Sequence, residues 1–205
     1  FSNAIHKKTG LYVTNLYRDM AADLKNEWQQ EIDKTPLTVF ENVNQRKSKA
    51  YTDYLYPQAL PDGGVIAMKR GIGNIEQFVL LKNGREDKQF TPGFVNDAGM
   101  LSAEGSKIVW SEYGYDPRWG VRNYSLIKVY DLSVGMRWTV GGKHARLSGA
   151  ALSPDAKRVV AIQSGNDYRN SILLLDVYTG KKLGQFSAPE NEFYSMPRWS
   201  HDGEK

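Results

Sequence analysis

Cysteine is missing from all 205 residues, which removes disulfides, thiolate-bound zinc and thiol nucleophiles in one step. Histidine is scarce: the chain has 3, and none stands in a His-Glu-x-x-His helix. His6 precedes Lys7-Lys8, His144 precedes Ala145-Arg146 and His201 falls in a turn signal, so each reads as a surface or loop residue and no metal site is expected. A Gly-x-Ser-x-Gly elbow is absent, and Gly71-Ile72-Gly73 lacks the rest of a dinucleotide or phosphate loop. Neither a catalytic residue nor a cofactor is expected in this segment. Long apolar runs are lacking too, since none approaches the ~18 consecutive residues that span a bilayer. No charged start leads into a short apolar stretch, but the chain opens on Phe1, so this lack carries no message about export. Nor does one sign of charge dominate. The net charge of +4 comes from 27 Lys and Arg scattered among 23 Asp and Glu, with no basic stripe to follow a phosphate backbone, so no nucleic-acid partner is expected.

What the chain does contain is enough apolar material for a packed core, 40% hydrophobic and 12% aromatic, arranged in two textures. From Phe1 to about Lys34 the pattern is helical. Leu16, Met20, Leu24, Trp28 and Ile32 recur every fourth residue, with Tyr17 and Ala21 widening the stripe. This predicts one amphipathic helix over Thr14–Asp33 with Thr14 as its N-cap and Pro36 just past its end, and a shorter helix over Phe1–Lys8 that stops at Gly10. Its polar face is not rich in Lys and Arg, so residues 1–36 read as a packing segment, the tail of a preceding domain, rather than a membrane-surface helix.

After Pro36 short β-rich runs alternate with Gly, Asp, Asn and Pro. Val65–Met68, Phe78–Leu81, Ile108–Trp110, Leu126–Tyr130, Val159–Ile162 and Ile172–Leu175 are predicted strands. They repeat. Leu60-Pro61-Asp62-Gly63, Leu101-Ser102-Ala103-Glu104-Gly105, Leu152-Ser153-Pro154-Asp155 and Trp199-Ser200-His201-Asp202-Gly203 form four copies of one turn signal, 41, 51 and 47 residues apart. The spacing is that of four-stranded propeller blades, roughly 40–50 residues each. A second marker, a turn glycine after the third strand, stands at Gly84, Gly135 and Gly180 and keeps almost constant distance to the next copy of the first. In each unit the innermost strand is expected to end at the first marker, Asp or Pro to shape the turn and Gly to take its left-handed position. The turn aspartates, Asp155 among them, thus read as turn formers before metal ligands or acids.

Leu152-Ser153-Pro154-Asp155-Ala156-Lys157, then Val159-Val160-Ala161, Ile172–Asp176 and Tyr178-Thr179-Gly180, resemble the repeat of TolB-like, WD-type β-propellers, found also in the propeller domains of prolyl-oligopeptidase-type peptidases. Trp199-Ser200-His201-Asp202-Gly203 is similar to the Trp-Ser-Pro-Asp-Gly of that family, with His201 in place of proline. The resemblance covers about Tyr54 to Lys205, and Leu60-Pro61-Asp62, which lacks the Ser, departs from it most. Thr9-Gly10 followed by a helix with Trp28 resembles, over a short stretch, the tail of a gluzincin peptidase-like domain. The resemblance implies a mainly β fold: a partial propeller over residues 37–205, with blades at about 54–97, 98–147 and 148–194 and a fourth begun at 195. It also implies a bacterial periplasmic or extracellular setting.

The distance between the two markers differs from blade to blade, which puts the extra length between the second and third strands. That connection shares a rim with the connections between blades, the face that propellers commonly use for ligands. In the second blade it reads Ser111–Tyr124 and holds Tyr113, Tyr115, Arg118, Trp119, Arg122 and Tyr124; in the third it is Ser164–Asn170, with Tyr168 and Arg169. Tyr, Trp and Arg dominate binding hot spots, so these eight are the candidate binding residues. Set against this is the plainer reading that the aromatics fold back onto their own loops. The expected function is a non-catalytic scaffold that binds a protein or peptide; the alternative is an accessory propeller that gates substrates for a peptidase domain elsewhere. Because Trp199–Lys205 stops where the earlier units enter their second strand, the sequence also reads as a fragment of a larger protein. On that reading the open flank of the third blade, around Val159–Ile162 and Ile172–Leu175, favours self-association.

Overall fold

The repeated turn signal shares one backbone feature at all four positions and one side-chain device at three. In the computed structural model, which describes residues 2–44, 49–96, 101–142, 145–187, 189–190 and 192–204, Asp62, Asp155 and Asp202 each accept a hydrogen bond from the N–H two residues on, at 3.0, 3.1 and 3.1 Å. The Ser153 and Ser200 hydroxyls donate to the aspartates that follow them. The next position takes positive φ in all four turns: Gly63 at 80°, Gly105 at 58°, Ala156 at 53° and Gly203 at 73°. Three are the expected glycines, but the third turn puts an alanine there, in a conformation that L side chains rarely adopt.

Between these turns run twelve strands: β1 (Thr52–Ala59), β2 (Val65–Gly71), β3 (Asn74–Lys82), β4 (Arg85–Phe90), β5 (Ser102–Glu104), β6 (Lys107–Tyr115), β7 (Asn123–Asp131), β8 (Met136–Val140), β9 (Leu147–Leu152), β10 (Arg158–Ser164), β11 (Asn170–Asp176) and β12 (Lys182–Ser187). They form three antiparallel sheets, β1–β4, β5–β8 and β9–β12, each a meander in chain order. All six predicted strands lie inside the second and third strands of these sheets. One detail of the turn expectation is corrected. In the second sheet the innermost strand runs through the marker, with Ser102–Glu104 paired to Val109–Lys107, so the turn is only Gly105-Ser106.

The sheets stack through two apolar clusters. Leu60, Ile66, Met68 and Phe78 of the first sheet meet Leu101, Ala103, Ile108 and Trp110 of the second. The second sheet's other face offers Val109, Ile127, Val129 and Val140 to Leu147, Leu152, Val159, Ala161, Leu173 and Leu175 of the third. β2 and β6 are apolar on both faces because both faces are buried, whereas β10 and β11 alternate buried and half-buried positions. A latch closes the second boundary on the marker side: Trp138 donates from Nε1 to the Val177 carbonyl at 2.7 Å and stacks on Tyr178 at 6.1 Å. Gly180 is required there, since its φ is 66° and a Cβ would come 2.7 Å from the Gly141 nitrogen. Four-stranded meanders that stack face to face without closing are three successive blades of a partial β-propeller, and the chain is mainly β. The third blade's far face carries Val160, Ile172, Leu174 and Phe186, and Trp199 lies beside them with its Nε1 3.2 Å from the Ala151 carbonyl.

Two compact units divide the chain, Phe1–Glu41 and Asn42–Lys205. The first holds α1 (Ser2–Thr9) and α2 (Val13–Lys34). Gly10, at φ 75°, ends α1 with its N–H on the His6 carbonyl. The N-cap of α2 is Tyr12, without a side-chain cap, so the expected cap Thr14 is instead the second helical residue. The helix begins two residues earlier than the Thr signal suggested.

The turn aspartates make stability pH-dependent. Asp155 is held below the usual carboxylate range first by the Ser153 hydroxyl and then by the Lys157 N–H; Asp62 is lowered first by the Lys82 ammonium, and Asp176 first by the Thr179 N–H. A folded-state pKa below the unfolded one contributes stability that is complete above the unfolded value, about 3.9, and disappears as pH falls through the folded value. The melting temperature should therefore stay flat at neutral pH and drop on acidification below about pH 4–5. Asp155→Asn should flatten part of that drop; an unchanged acid profile would contradict the assignment.

Candidate functional site

The rim opposite the marker turns is assembled from two hairpins and the segments that link one blade to the next. The link before the second blade docks on the β6–β7 hairpin, where Tyr113 N–H donates to the Phe94 carbonyl at 2.9 Å and Asn96 N–H to Ser111 at 3.2 Å. Val95 forms a bridge opposite Glu112, and the Phe94 and Tyr113 rings lie 5.4 Å apart. Glu112 is only 6% exposed; its Oε1 accepts from the Trp110 indole at 2.9 Å and from Gly93 N–H at 2.8 Å. It is a structural carboxylate that ties the link to the blade. The third blade repeats the arrangement, with Ser164 N–H on the Arg146 carbonyl and the Arg146 guanidinium 3.4 Å from the Gly165 carbonyl and from Asn166 Oδ1.

The β6–β7 hairpin is longer as a ladder, and shorter as a loop, than the sequence suggested. Pairing runs out to Tyr115 opposite Asn123, leaving Asp116–Arg122 as the loop. Tyr113, Tyr115 and Tyr124 are therefore strand residues, while Arg118, Trp119 and Arg122 are loop residues. Tyr124 is 7% exposed and its hydroxyl donates to Asp116 Oδ2 at 3.2 Å. Asp116 organises the whole loop: its Oδ1 accepts from Arg118 N–H at 2.9 Å and its Oδ2 lies 3.9 Å from Arg122. The Arg118 N–H bond outweighs burial and holds the Asp116 carboxyl below the ordinary range, while burial and this carboxylate push the Tyr124 phenol up. The Arg122 guanidinium sits 5.5 Å from the Tyr124 ring centroid. Asp116, Arg118, Trp119, Arg122 and Tyr124 together line a cavity of about 270 Å³. Trp119 is 61% exposed beside it.

In the third blade the loop is Gly165–Arg169, and it uses the same device. Arg169 N–H donates to Asp167 Oδ1 at 3.2 Å, and Arg169 Nε lies 3.6 Å from Oδ2. Tyr168, at φ 61°, is exposed. Arg169 lines a second, wider cleft of about 720 Å³, whose other walls include Gln163, Ser171, Gln185 and Ser187. Those four were missed by sequence reasoning. Gln163 pairs with Ser171 and Ser171 with Ser187 in the ladder, so a polar row crosses the sheet where the apolar alternation of β10 and β11 gives out. The eight candidates therefore fall into three groups: Arg118, Trp119, Arg122 and Tyr124 share one cavity, Arg169 borders another, and Tyr113, Tyr115 and Tyr168 line neither.

Among the described residues no group of three or more His, Asp or Glu could hold a metal ion. His6 packs edge-on against Tyr12 at 4.1 Å, and His144 lies outside the described residues. No helix of the described residues is long and apolar enough to cross a membrane.

The class of fold is thus a stack of propeller blades with one elaborated rim. No family model and no curated protein matches the sequence. Among solved structures the chain is similar to the acylaminoacyl peptidase of Pyrococcus horikoshii, at 14% identity and a TM-score of 0.46, over 68% of this chain and 26% of that one. It is also similar to the β-propeller domain of the trilobed protease from Pyrococcus furiosus, at 15% identity and 0.40, over 68% and 43%. A third is TolB from Acinetobacter baumannii, at 16% identity and 0.32, over 63% and 42%. The chain spans less than half the length of each of these proteins.

Proposed function

We propose that this chain is a non-catalytic propeller segment that binds a protein or peptide partner on the rim carrying the β6–β7 and β10–β11 hairpins. The observation that carries the reading is the Asp116–Arg122 loop. Its acid, Asp116, is consumed internally by the Arg118 N–H, Tyr124 and Arg122, while Trp119 and the Arg118 side chain are left outside on a backbone fixed by those bonds. A rigid loop with an exposed Trp and Arg binds at low entropic cost, which is how hot-spot residues gain their effect.

The test is selection of a random phage-displayed peptide library on the protein. Peptides should be enriched, and their affinity should fall about tenfold or more on Arg118→Ala with Trp119→Ala. The melting temperature should barely move, because exposed substitutions stay within about 0.5 kcal/mol. Tyr124→Phe, by contrast, should cost about 1 kcal/mol of stability by removing the bond to Asp116. Selected peptides that bind the double variant as well as the parent would refute the rim, and a stability loss of several kcal/mol would make Arg118 and Trp119 packing residues.

A further inference from the structure

We infer that the cavity lined by Asp116, Arg118, Trp119, Arg122 and Tyr124 takes a single carboxylate from an acidic peptide, an inference that rests on the rim being the binding face. The charge balance of the hairpin is the first ground. Its Asp116–Arg122 loop holds two guanidinium groups and one carboxylate, and that carboxylate already accepts from the Arg118 N–H and the Tyr124 hydroxyl and lies beside Arg122. Arg122 is held between Asp116 and the Tyr124 ring. The Arg118 guanidinium, among the described residues, has no carboxylate partner and lines the same cavity. A guanidinium whose backbone is fixed but whose fork is open matches a carboxylate bidentately.

Size is the second ground. At about 270 Å³ the cavity is smaller than the roughly 300–1,000 Å³ of pockets that enclose whole small-molecule ligands, so it suits one side chain or one chain end. The exposed Trp119 face beside it supplies the apolar contact for the neighbouring residue of an extended peptide. The third ground is repetition of the turn: Asp167-Tyr168-Arg169 uses the same Asp-x-Arg device, with the Arg169 guanidinium 3.6 Å from Asp167 Oδ2 and Tyr168 exposed beside it. A peptide with alternating acidic and aromatic residues therefore fits. Polyphosphate does not, because Asp116, Asp167 and Glu190 stand among the cations of the two cavities, and nucleic-acid affinity comes from neutralising many phosphates in a row.

Fluorescence anisotropy with four labelled probes tests this: a short amidated peptide of alternating glutamate and phenylalanine, its glutamine counterpart with an amidated end, that counterpart with a free C-terminal carboxylate, and oligothymidylate. The glutamate peptide should bind about tenfold or more tighter than the amidated glutamine peptide, and Arg118→Ala should abolish that difference while Arg118→Lys restores part of it. Recovery of tight binding by the free carboxylate alone would assign the cavity to a chain end; tight binding only with glutamate would assign it to a side chain. Either result supports a carboxylate site. Equal binding of the glutamate and glutamine peptides, lost on Trp119→Ala, would overturn the carboxylate site and leave the rim standing. Binding of oligothymidylate as tightly as the glutamate peptide would overturn the choice of partner, and no binding by any probe would overturn the site altogether.

Discussion

Trp110→Ala should cost about 3–5 kcal/mol, the largest loss expected of any single apolar truncation in the chain. Trp110 is 1% exposed and sits where the first two blades meet, with Phe78 5.2 Å and Phe90 5.1 Å away centroid to centroid. Phe90 in turn packs on Tyr130 at 4.3 Å. The alanine would leave a cavity among stiff rings that belong to two separate sheets, and neither sheet can close it without moving its neighbour. It would also take the indole N–H from the buried Glu112 carboxylate, which holds Gly93 and through it the link between the blades. Denaturant unfolding should show the loss as a lower midpoint. A cost below about 1 kcal/mol, comparable to Trp119→Ala, would mean that the two blades do not share one core.

The second large effect comes from a buried charge. Lys69 is 1% exposed, and its ammonium lies 2.6 Å from Glu86, which also accepts a bond from the Tyr54 hydroxyl. Removing the acid alone, as in Glu86→Ala, leaves the buried ammonium without its carboxylate and should cost about 3–5 kcal/mol. Lys69→Met combined with Glu86→Leu removes both charges at similar volume and should recover most of that loss. If the single and double variants are equally unstable, the stranded ammonium is not the source of the loss.

Blade phase was legible because it depends on local chemistry that repeats: an aspartate that accepts the N–H two residues on, followed by a residue at positive φ. The middle strands were legible because they carry short apolar runs, with both faces buried in β2 and β6 and one face buried and the other half-buried in β10 and β11. The outer strands β4, β8 and β12 were not, since residues such as Arg85, Asp87 and Lys88, or Lys182 and Gln185, face outward and the run reads as loop. Of the rim, the sequence pointed to the aromatic and arginine content but not to what arranges it. Asp116-Pro117-Arg118 and Asp167-Tyr168-Arg169 could have been read as side-chain-to-backbone turns, the one local signal for the organising acids. Glu112 in Ser111-Glu112-Tyr113 had no such signal. The Trp110 indole two residues away on the same strand and the Gly93 N–H, brought in by the link between the blades, together give the carboxylate a reason to be buried, and Gly93 lies nineteen residues away. The Lys69–Glu86 pair joins residues of β2 and β4, a separation that no spacing rule picks out.

Hydrogen exchange, measured peptide by peptide with and without a saturating selected ligand, separates the two rims of the blades. Protection should appear over Tyr113–Tyr124 and Ser164–Asn170, with no change at the marker turns Leu60–Gly64, Gly105-Ser106 and Ser153–Lys157. Protection of the marker turns instead, with the Asp116–Arg122 loop exchanging at its free rate, would place the binding face on the opposite rim.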